Sequence, residues 1–242
     1  MNGKVRHSLR LTAMLYLLDY GAGNIQSLAN SLTKLGYTYE WVREPSDISK
    51  ADKLLFPGVG SFASAMDALH AKGYVEPLRA YIQSGKPLMG ICVGMQVLFE
   101  GSDESPGVQG LGIVPARVGR FATQDALGRK AVPHMGWSLA NVVEWDGCAD
   151  QRHELAKSYG MHDANPSHYY FVHSYRVAWD ANVAEWALTT TQYGNEIFVS
   201  SIQHANVFAT QFHPEKSGQA GLDLLAAWLR LEHVEPTTRV GR

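Results

Sequence analysis

The sequence is poor in cysteine, in net charge and in long apolar runs, and each scarcity removes a class of function. Two cysteines, Cys92 and Cys148, occur in 242 residues, too few for the disulfide framework of a small secreted domain. They form no C-x-x-C pair. The ten histidines show neither H-x-x-x-H nor H-E-x-x-H spacing, so neither a metal nor another cofactor is expected. A formal net charge of -2 argues against a nucleic-acid partner and against a membrane-surface role. The longest apolar runs, such as Met14 to Leu18, are far too short to span a bilayer. The balance of 45% apolar and 18% charged residues is that of a soluble globular protein long enough to bury a sizeable core.

Residues 1–13 are basic and contain no acid. A short targeting extension is one reading. A frayed terminus is preferred, because the long apolar core of a secretory signal is missing. A reducing cytoplasmic compartment is therefore expected. A single domain is expected over 14–233, with a loose tail over 234–242.

The first half alternates strand-like and helix-like segments. Leu15–Leu18 reads as a strand, and Ile25, Leu28, Ala29, Leu32 and Leu35 keep the i, i+3, i+4, i+7 rhythm of a helix closed at Gly36. Tyr37–Val42 and Lys53–Phe56 read as strands, the second stopped by Pro57-Gly58. Ser61–Ala71 and Glu76–Ser84 read as helices, Leu88–Ile91 as a strand, and Met95–Glu100 as a helix. This alternation predicts an α/β fold with a mainly parallel sheet flanked by helices, where ligands gather at the carboxyl ends of strands. Tyr169–His173, Ala184–Thr190, Ile197–Ile202 and Val207–Thr210 suggest an antiparallel portion in the second half. Gln219–Leu231 reads as a closing helix. The polar stretches 122–131 and 149–168 read as surface elaborations, the second as an exposed loop or short helix.

Gly90-Ile91-Cys92-Val93-Gly94 has the G-x-nucleophile-x-G form, after an apolar strand and before a helix. That context matters because the nucleophile sits on a tight turn where side chains at the glycine positions would clash. A helix N-terminus there would favour thiolate over thiol, and the Val93 N–H could meet an oxyanion. A buried structural thiol between packing glycines explains the cysteine alone equally well. A thiol nucleophile needs a base, and the base an orienter. His213-Pro214-Glu215 offers both, since proline keeps His213 extended and residues two apart in an extended segment share a side. A surface turn is the bland alternative. Phe56-Pro57-Gly58-Val59-Gly60 ends another strand, where glycines let backbone N–H groups approach a substrate closely; an ordinary strand-to-helix turn explains it too. Gln96 and Glu104 could serve the amide and ammonium of an amino acid, or be solvated polarity.

Together PGVGSF, GKPLMGICVGMQVLFEGSDE, PHMGWS, YYFVHSY and ATQFHPEKSG resemble the class I glutamine amidotransferases. The narrower combination of D-Y-G-x-G-N-I, P-G-V-G, H-M-G-W and F-V-H-S-Y resembles the glutaminase subunit or domain of imidazole glycerol phosphate synthases. The resemblance runs from about Leu15 to Leu231. It implies a flavodoxin-like fold and hydrolysis of glutamine by Cys92, His213 and Glu215. It implies an oxyanion hole from the backbone of Gly58, Val59 and Val93. Glutamine would be held at Gly60, Gln96 and Glu104 and at the backbone of His173, Ser174 and Tyr175. It further implies ammonia delivery through a tunnel to a (β/α)8-barrel cyclase, separate or fused, with Asn24, Met135, Trp137 and Lys216 at the interface.

One departure is Ser138, where the family segment H-M-G-W usually continues with asparagine; it changes the reach of one interface hydrogen bond. Two other readings compete. A cysteine hydrolase of peptides or γ-glutamyl compounds would turn over larger substrates without a partner, and H-M-G-W and F-V-H-S-Y argue against it. A non-catalytic scaffold would lack part of the triad, and all three residues are present. Cys148 is expected to be catalytically silent.

Overall fold

The structure, a computed structural model, describes residues 13–21, 25–126, 128–144, 149–161 and 167–231. The readings of residues 1–12, Asn24, Cys148 and the C-terminal tail fall outside the described residues.

The first half runs β1 (Leu15–Leu18), α1 (Gln26–Lys34), β2 (Glu40–Val42), α2 (Pro45–Lys50), β3 (Lys53–Gly58), α3 (Phe62–Ala71), α4 (Val75–Gln83), β4 (Leu88–Cys92), α5 (Val93–Gln96) and β5 (Phe99–Ser102). Next come β6 (Val114–Arg120), β7 (Gln124–Asp125), β8 (Gly128–Arg129), β9 (His134–Leu139), β10 (Asn141–Val142), α6 (Ala149–Ser158), β11 (His168–His173) and β12 (Tyr175–Arg176). The chain closes with β13 (Ala187–Tyr193), β14 (Glu196–His204), β15 (Val207–Thr210), a 3-10 turn (Pro214–Lys216) and α7 (Gly218–Arg230).

One eight-stranded sheet, in the order β10-β13-β14-β15-β4-β3-β1-β2, forms the frame. Strands β15, β4, β3, β1 and β2 run parallel, and β10, β13 and β14 extend the sheet antiparallel. Every residue of β1, β4 and β15 is buried. That is why these strands read as unbroken apolar runs: helices cover both faces of a parallel sheet. Helix α1 contributes Leu28, Ala29 and Leu32 to the core, and α7 contributes Leu224, Leu225, Trp228 and Leu229. Among the described residues three small sheets, β11-β9, β12-β6-β5 and β7-β8, are separate from the frame. Among the described residues no helix is long and apolar enough to cross a membrane.

Several boundaries differ from the sequence reading for identifiable reasons. The helix expected over Met95–Glu100 begins earlier and ends at Gln96, and Phe99–Ser102 is a strand paired parallel with β6. Val97, Leu98 and Phe99 are all fully buried, and a short apolar run has no period to separate helix from strand. Strand β3 continues through Pro57 and Gly58 rather than stopping before them. Beyond Leu55 it pairs with β4 alone, so on its β1 side the missing proline N–H breaks no ladder. Helix α2 escapes the apolar rhythm. Its signal is the Glu44–Asp47 capping box with Pro45 in the first turn.

The polar stretches are more than surface elaborations. After α6, Tyr159 stacks on Phe208 at 4.3 Å between ring centroids and donates to Gln203 Oε1 at 2.7 Å. In the hairpin β7–β8 region, Lys130 makes a buried ion pair with Glu196, which also pairs with Arg176.

The register sets up the site. Gly58 lies opposite Cys92, and Thr210 opposite Ile91. The carboxyl ends of β3, β4 and β15 therefore meet, and the sequence motifs sit at those ends.

Candidate active site

Cys92 is the hinge between β4 and α5, at φ 55° and ψ −110°. This is a costly backbone conformation for a residue with a side chain, held by the packing around it. The neighbouring glycines show how tight that packing is. A Cβ on Gly94 would lie 1.9 Å from the Phe56 carbonyl oxygen, and one on Gly58 would lie 2.4 Å from the Gly94 nitrogen. The turn is thus pressed directly onto the end of β3. Helix α5 has four residues, so the expected dipole contribution to the sulfur is small, because a macrodipole needs several aligned turns.

The charge partner is His213. Its ring stands close enough to the Cys92 sulfur to feel its charge, and its Nδ1 lies 2.7 Å from Glu215 Oε1. Burial would push this imidazole down. The negative sulfur beside it, the hydrogen bond to that sulfur and the Glu215 carboxylate together outweigh burial and raise it to about 10. An imidazole raised in this way holds a proton that it can pass to a neighbouring group. His213 is extended (φ −100°, ψ 95°), as its following proline demands, but residues 214–216 form a 3-10 turn. Glu215 reaches His213 across that turn rather than along an extended segment. The Ser217 hydroxyl donates to the His213 carbonyl at 2.6 Å and accepts from the Tyr170 N–H at 2.9 Å, which ties the turn to β11.

The residues expected around the sulfur are placed unevenly. Val93 follows Cys92 directly at the start of α5. Val59 follows Gly58, where an added Cβ would lie 2.8 Å from the phenol oxygen of Tyr20. That phenol is buried and makes no hydrogen bond among the described residues; burial, then the charge at Cys92, raises its pKa. Gly60 has φ +94° with open space where a Cβ would stand. Glu104 accepts from the Phe62 N–H at 2.8 Å, so one of its oxygens already serves the start of α3. Gln96 donates to the Tyr175 carbonyl at 3.1 Å and to Gln211 Oε1 at 2.9 Å. Ser174 lends its carbonyl to the Phe121 N–H at 3.1 Å. Gln211, which the sequence reading left unassigned, donates to the Cys92 sulfur at 3.7 Å. The period-two rule that selected His213 could have found it, since Gln211 lies two residues before.

A second cluster flanks this site. His134 and His173 are cross-strand partners on β9 and β11, with His134 Nδ1 3.3 Å from His173 Nε2. The His134 ring stacks on Phe171 and Tyr193. Burial, then the Lys130 charge, lowers His134 to about 4. Burial, against the support of the Tyr175 carbonyl, lowers His173 to about 3. On the same strand Met135 and Trp137 are 62% and 54% exposed, which leaves them available to a partner. Trp137 pairs with Tyr170, and Tyr170 is bonded to the turn that carries the exposed Lys216.

The two neutral histidines have a consequence for stability. The unfolded chain takes up protons below the ordinary value of 6.5, whereas the native rings resist protonation until about 4 and about 3. Stability is therefore full above about 6.5 and falls as pH drops toward 4, by up to about 1.4 kcal/mol per pH unit for each ring. Urea midpoints followed between neutral pH and about pH 5 should show this slope. It should be smaller in His134→Phe, whose ring can keep the stack.

Residues 16–229 match the family model for class-I glutamine amidotransferases. The imidazole glycerol phosphate synthase hisHF of Emericella nidulans is 47% identical over 218 residues, covering 89% of this chain and 37% of that relative. The imidazole glycerol phosphate synthase subunit HisH of Methanothermobacter thermautotrophicus is 41% identical over 218 residues, covering 90% of this chain and 98% of that relative. The chain thus spans little more than a third of the hisHF relatives and nearly all of that HisH subunit. A crystal structure of a glutamine amidotransferase superposes with a TM-score of 0.61 at 19% identity, covering 88% of this chain and 98% of that one; at that identity it shows the fold alone.

Proposed function

The chain belongs to the class I glutamine amidotransferase family, and from that premise we propose that it hydrolyses L-glutamine as the glutaminase part of an imidazole glycerol phosphate synthase. The observation that carries this reading is the meeting of Cys92 at the end of β4 with the His213–Glu215 pair that follows β15, the His213 Nδ1 lying 2.7 Å from Glu215 Oε1. The sulfur attacks the side-chain amide carbon of glutamine. The oxygen takes the negative charge and is met by backbone N–H groups at Gly58, Val59 and Val93. His213 gives its proton to the departing nitrogen, and ammonia leaves. Water, activated by the now neutral His213, opens the γ-glutamyl thioester to glutamate. The free oxygen of Glu104 takes the substrate ammonium. Gln96, Gly60 and the backbone of His173–Tyr175 line the rest of the substrate.

The ammonia passes to a (β/α)8-barrel cyclase, which uses it to make imidazole glycerol phosphate and an aminoimidazole carboxamide ribotide in histidine biosynthesis. Relatives that are a separate HisH subunit and relatives that are longer hisHF chains support a cyclase partner, separate or fused. The exposed Met135, Trp137 and Lys216 are its contacts, and Asn24, which lies outside the described residues, is assigned to the interface on the family resemblance alone. An unpaired catalytic thiol suits the reducing cytoplasm.

The position of Val59 adds a prediction. The Tyr20 phenol is packed against Gly58 at the start of this peptide; the peptide reorients to serve the oxyanion, and the partner promotes that. Glutamate release should be slow for the chain alone. It should rise at least about tenfold, a barrier change of ~1.4 kcal/mol, with the cyclase and its nucleotide ligand. Equal rates would sink the gating. No glutamate in either condition would sink the function.

A further inference from the structure

The cluster beside the active site forms a chain of hydrogen bonds whose direction can be worked out atom by atom. It ends on the Tyr175 carbonyl, which can only accept. His173 Nδ1 lies 2.8 Å from that carbonyl, so Nδ1 carries the hydrogen. The ring is buried and neutral, which leaves Nε2 bare. His134 Nδ1, at 3.3 Å, must then donate to it. A neutral His134 has its own Nε2 bare, and this accepts from the Ser138 hydroxyl at 3.0 Å. No other arrangement of protons satisfies all three contacts with neutral rings.

The Tyr175 carbonyl is also where the active-site amides begin. Gln96 Nε2 donates both to it and to Gln211 Oε1. With its oxygen so occupied, the Gln211 amide must turn its N–H toward the Cys92 sulfur, 3.7 Å away. An N–H aimed at sulfur stabilises negative charge there. Both glutamines are nearly or fully buried, so water does not compete for these bonds. At the other end, Ser138 and His134 lie on β9 with the exposed Met135 and Trp137.

We propose that Ser138, His134 and His173 are positioning residues, a one-way relay of hydrogen bonds that holds the Gln96–Gln211 amide pair against the Cys92 sulfur and ties that sulfur to the exposed strip of β9. The proposal rests on the reading of Cys92 as nucleophile. Loss of the Ser138 hydroxyl frees His134 to adopt the other tautomer, which sets two bare nitrogens face to face at His173. A group that presses on Met135 or Trp137 shifts the same strand and acts on the sulfur through the same bonds.

The test is the rate at which iodoacetamide alkylates Cys92 in the native full chain, read from the mass of the Cys92 peptide. Ser138→Ala should slow alkylation about three- to tenfold, the value of one hydrogen bond, and Ser138→Thr should restore it. His173→Asn keeps a donor at the Nδ1 position and should react faster than His173→Ala. Unfolding would expose the thiol and accelerate alkylation, so loss of fold cannot imitate the expected slowing. Unchanged rates in Ser138→Ala and His173→Ala would overturn the relay, as would slowing that neither Ser138→Thr nor His173→Asn relieves. Because the readout is sulfur reactivity rather than glutamine turnover, the relay can fail while glutamine hydrolysis stands, and the reverse.

Discussion

Replacing Cys92 by alanine should lower glutamate release at least about a thousandfold, while the cyclase still turns over with ammonia supplied in the buffer. The size follows from the site's construction. His213 and Glu215 are arranged around the sulfur, and neither offers a substitute nucleophile, since each is buried and bound to the other. Without the sulfur there is no thioester, and oxyanion donors alone give a small residual rate. Cys92→Ser should fare little better, because a hydroxyl is a far weaker acid than a thiol, and without the charged sulfur that raises His213 the proton stays on the oxygen. Ammonia-dependent turnover by the complex is the control that separates lost chemistry from lost assembly. Retained glutaminase activity in Cys92→Ala would defeat the assignment.

Gly94→Ala should damage both fold and activity. Its Cβ would stand 1.9 Å from the Phe56 carbonyl oxygen, well inside contact distance, and that oxygen is backbone in the buried centre of the sheet. Either β3 or the nucleophile turn must move. Overpacking of this kind costs about 1–3 kcal/mol. The larger effect is on catalysis, because the displaced elements carry the sulfur and the oxyanion donors. A misplacement of about 1 Å can cost a hundredfold in rate. Thermal unfolding gives the first number and glutaminase assays of the assembled complex the second. A variant with parental activity would show that the close approach of β3 to the turn is not needed.

Much of this site was legible in the sequence because its parts are local. G-I-C-V-G declares a strand, a tight turn and a thiol within five residues, and His213-Pro214-Glu215 sets an imidazole and a carboxylate side by side. The glycines at 58 and 94 announced close backbone approach, and the structure supplies the neighbour that each approaches. What stayed hidden depends on contacts between distant segments. Gln211 gains meaning only when β15 lies beside β4. His134 and His173 become a pair only through the register of β9 and β11. Phe99–Ser102 had no period to mark it as a strand. Polar composition concealed the anchoring of α6, since the stacking of Tyr159 on Phe208 joins residues far apart in sequence. The Glu215 contact was expected from an extended geometry and is made by a 3-10 turn.

The central claim is that the Cys92 sulfur bonds covalently to the side-chain carbon of glutamine. A glutamine analogue carrying a chloroketone in place of its side-chain amide tests it directly, because the sulfur displaces chloride and leaves a stable thioether. One label per chain is expected, on the Cys92 peptide, with labelling slowed by added glutamine and loss of glutaminase activity in step. Labelling of Cys148 instead, or full inactivation with the Cys92 peptide unmodified, would contradict it.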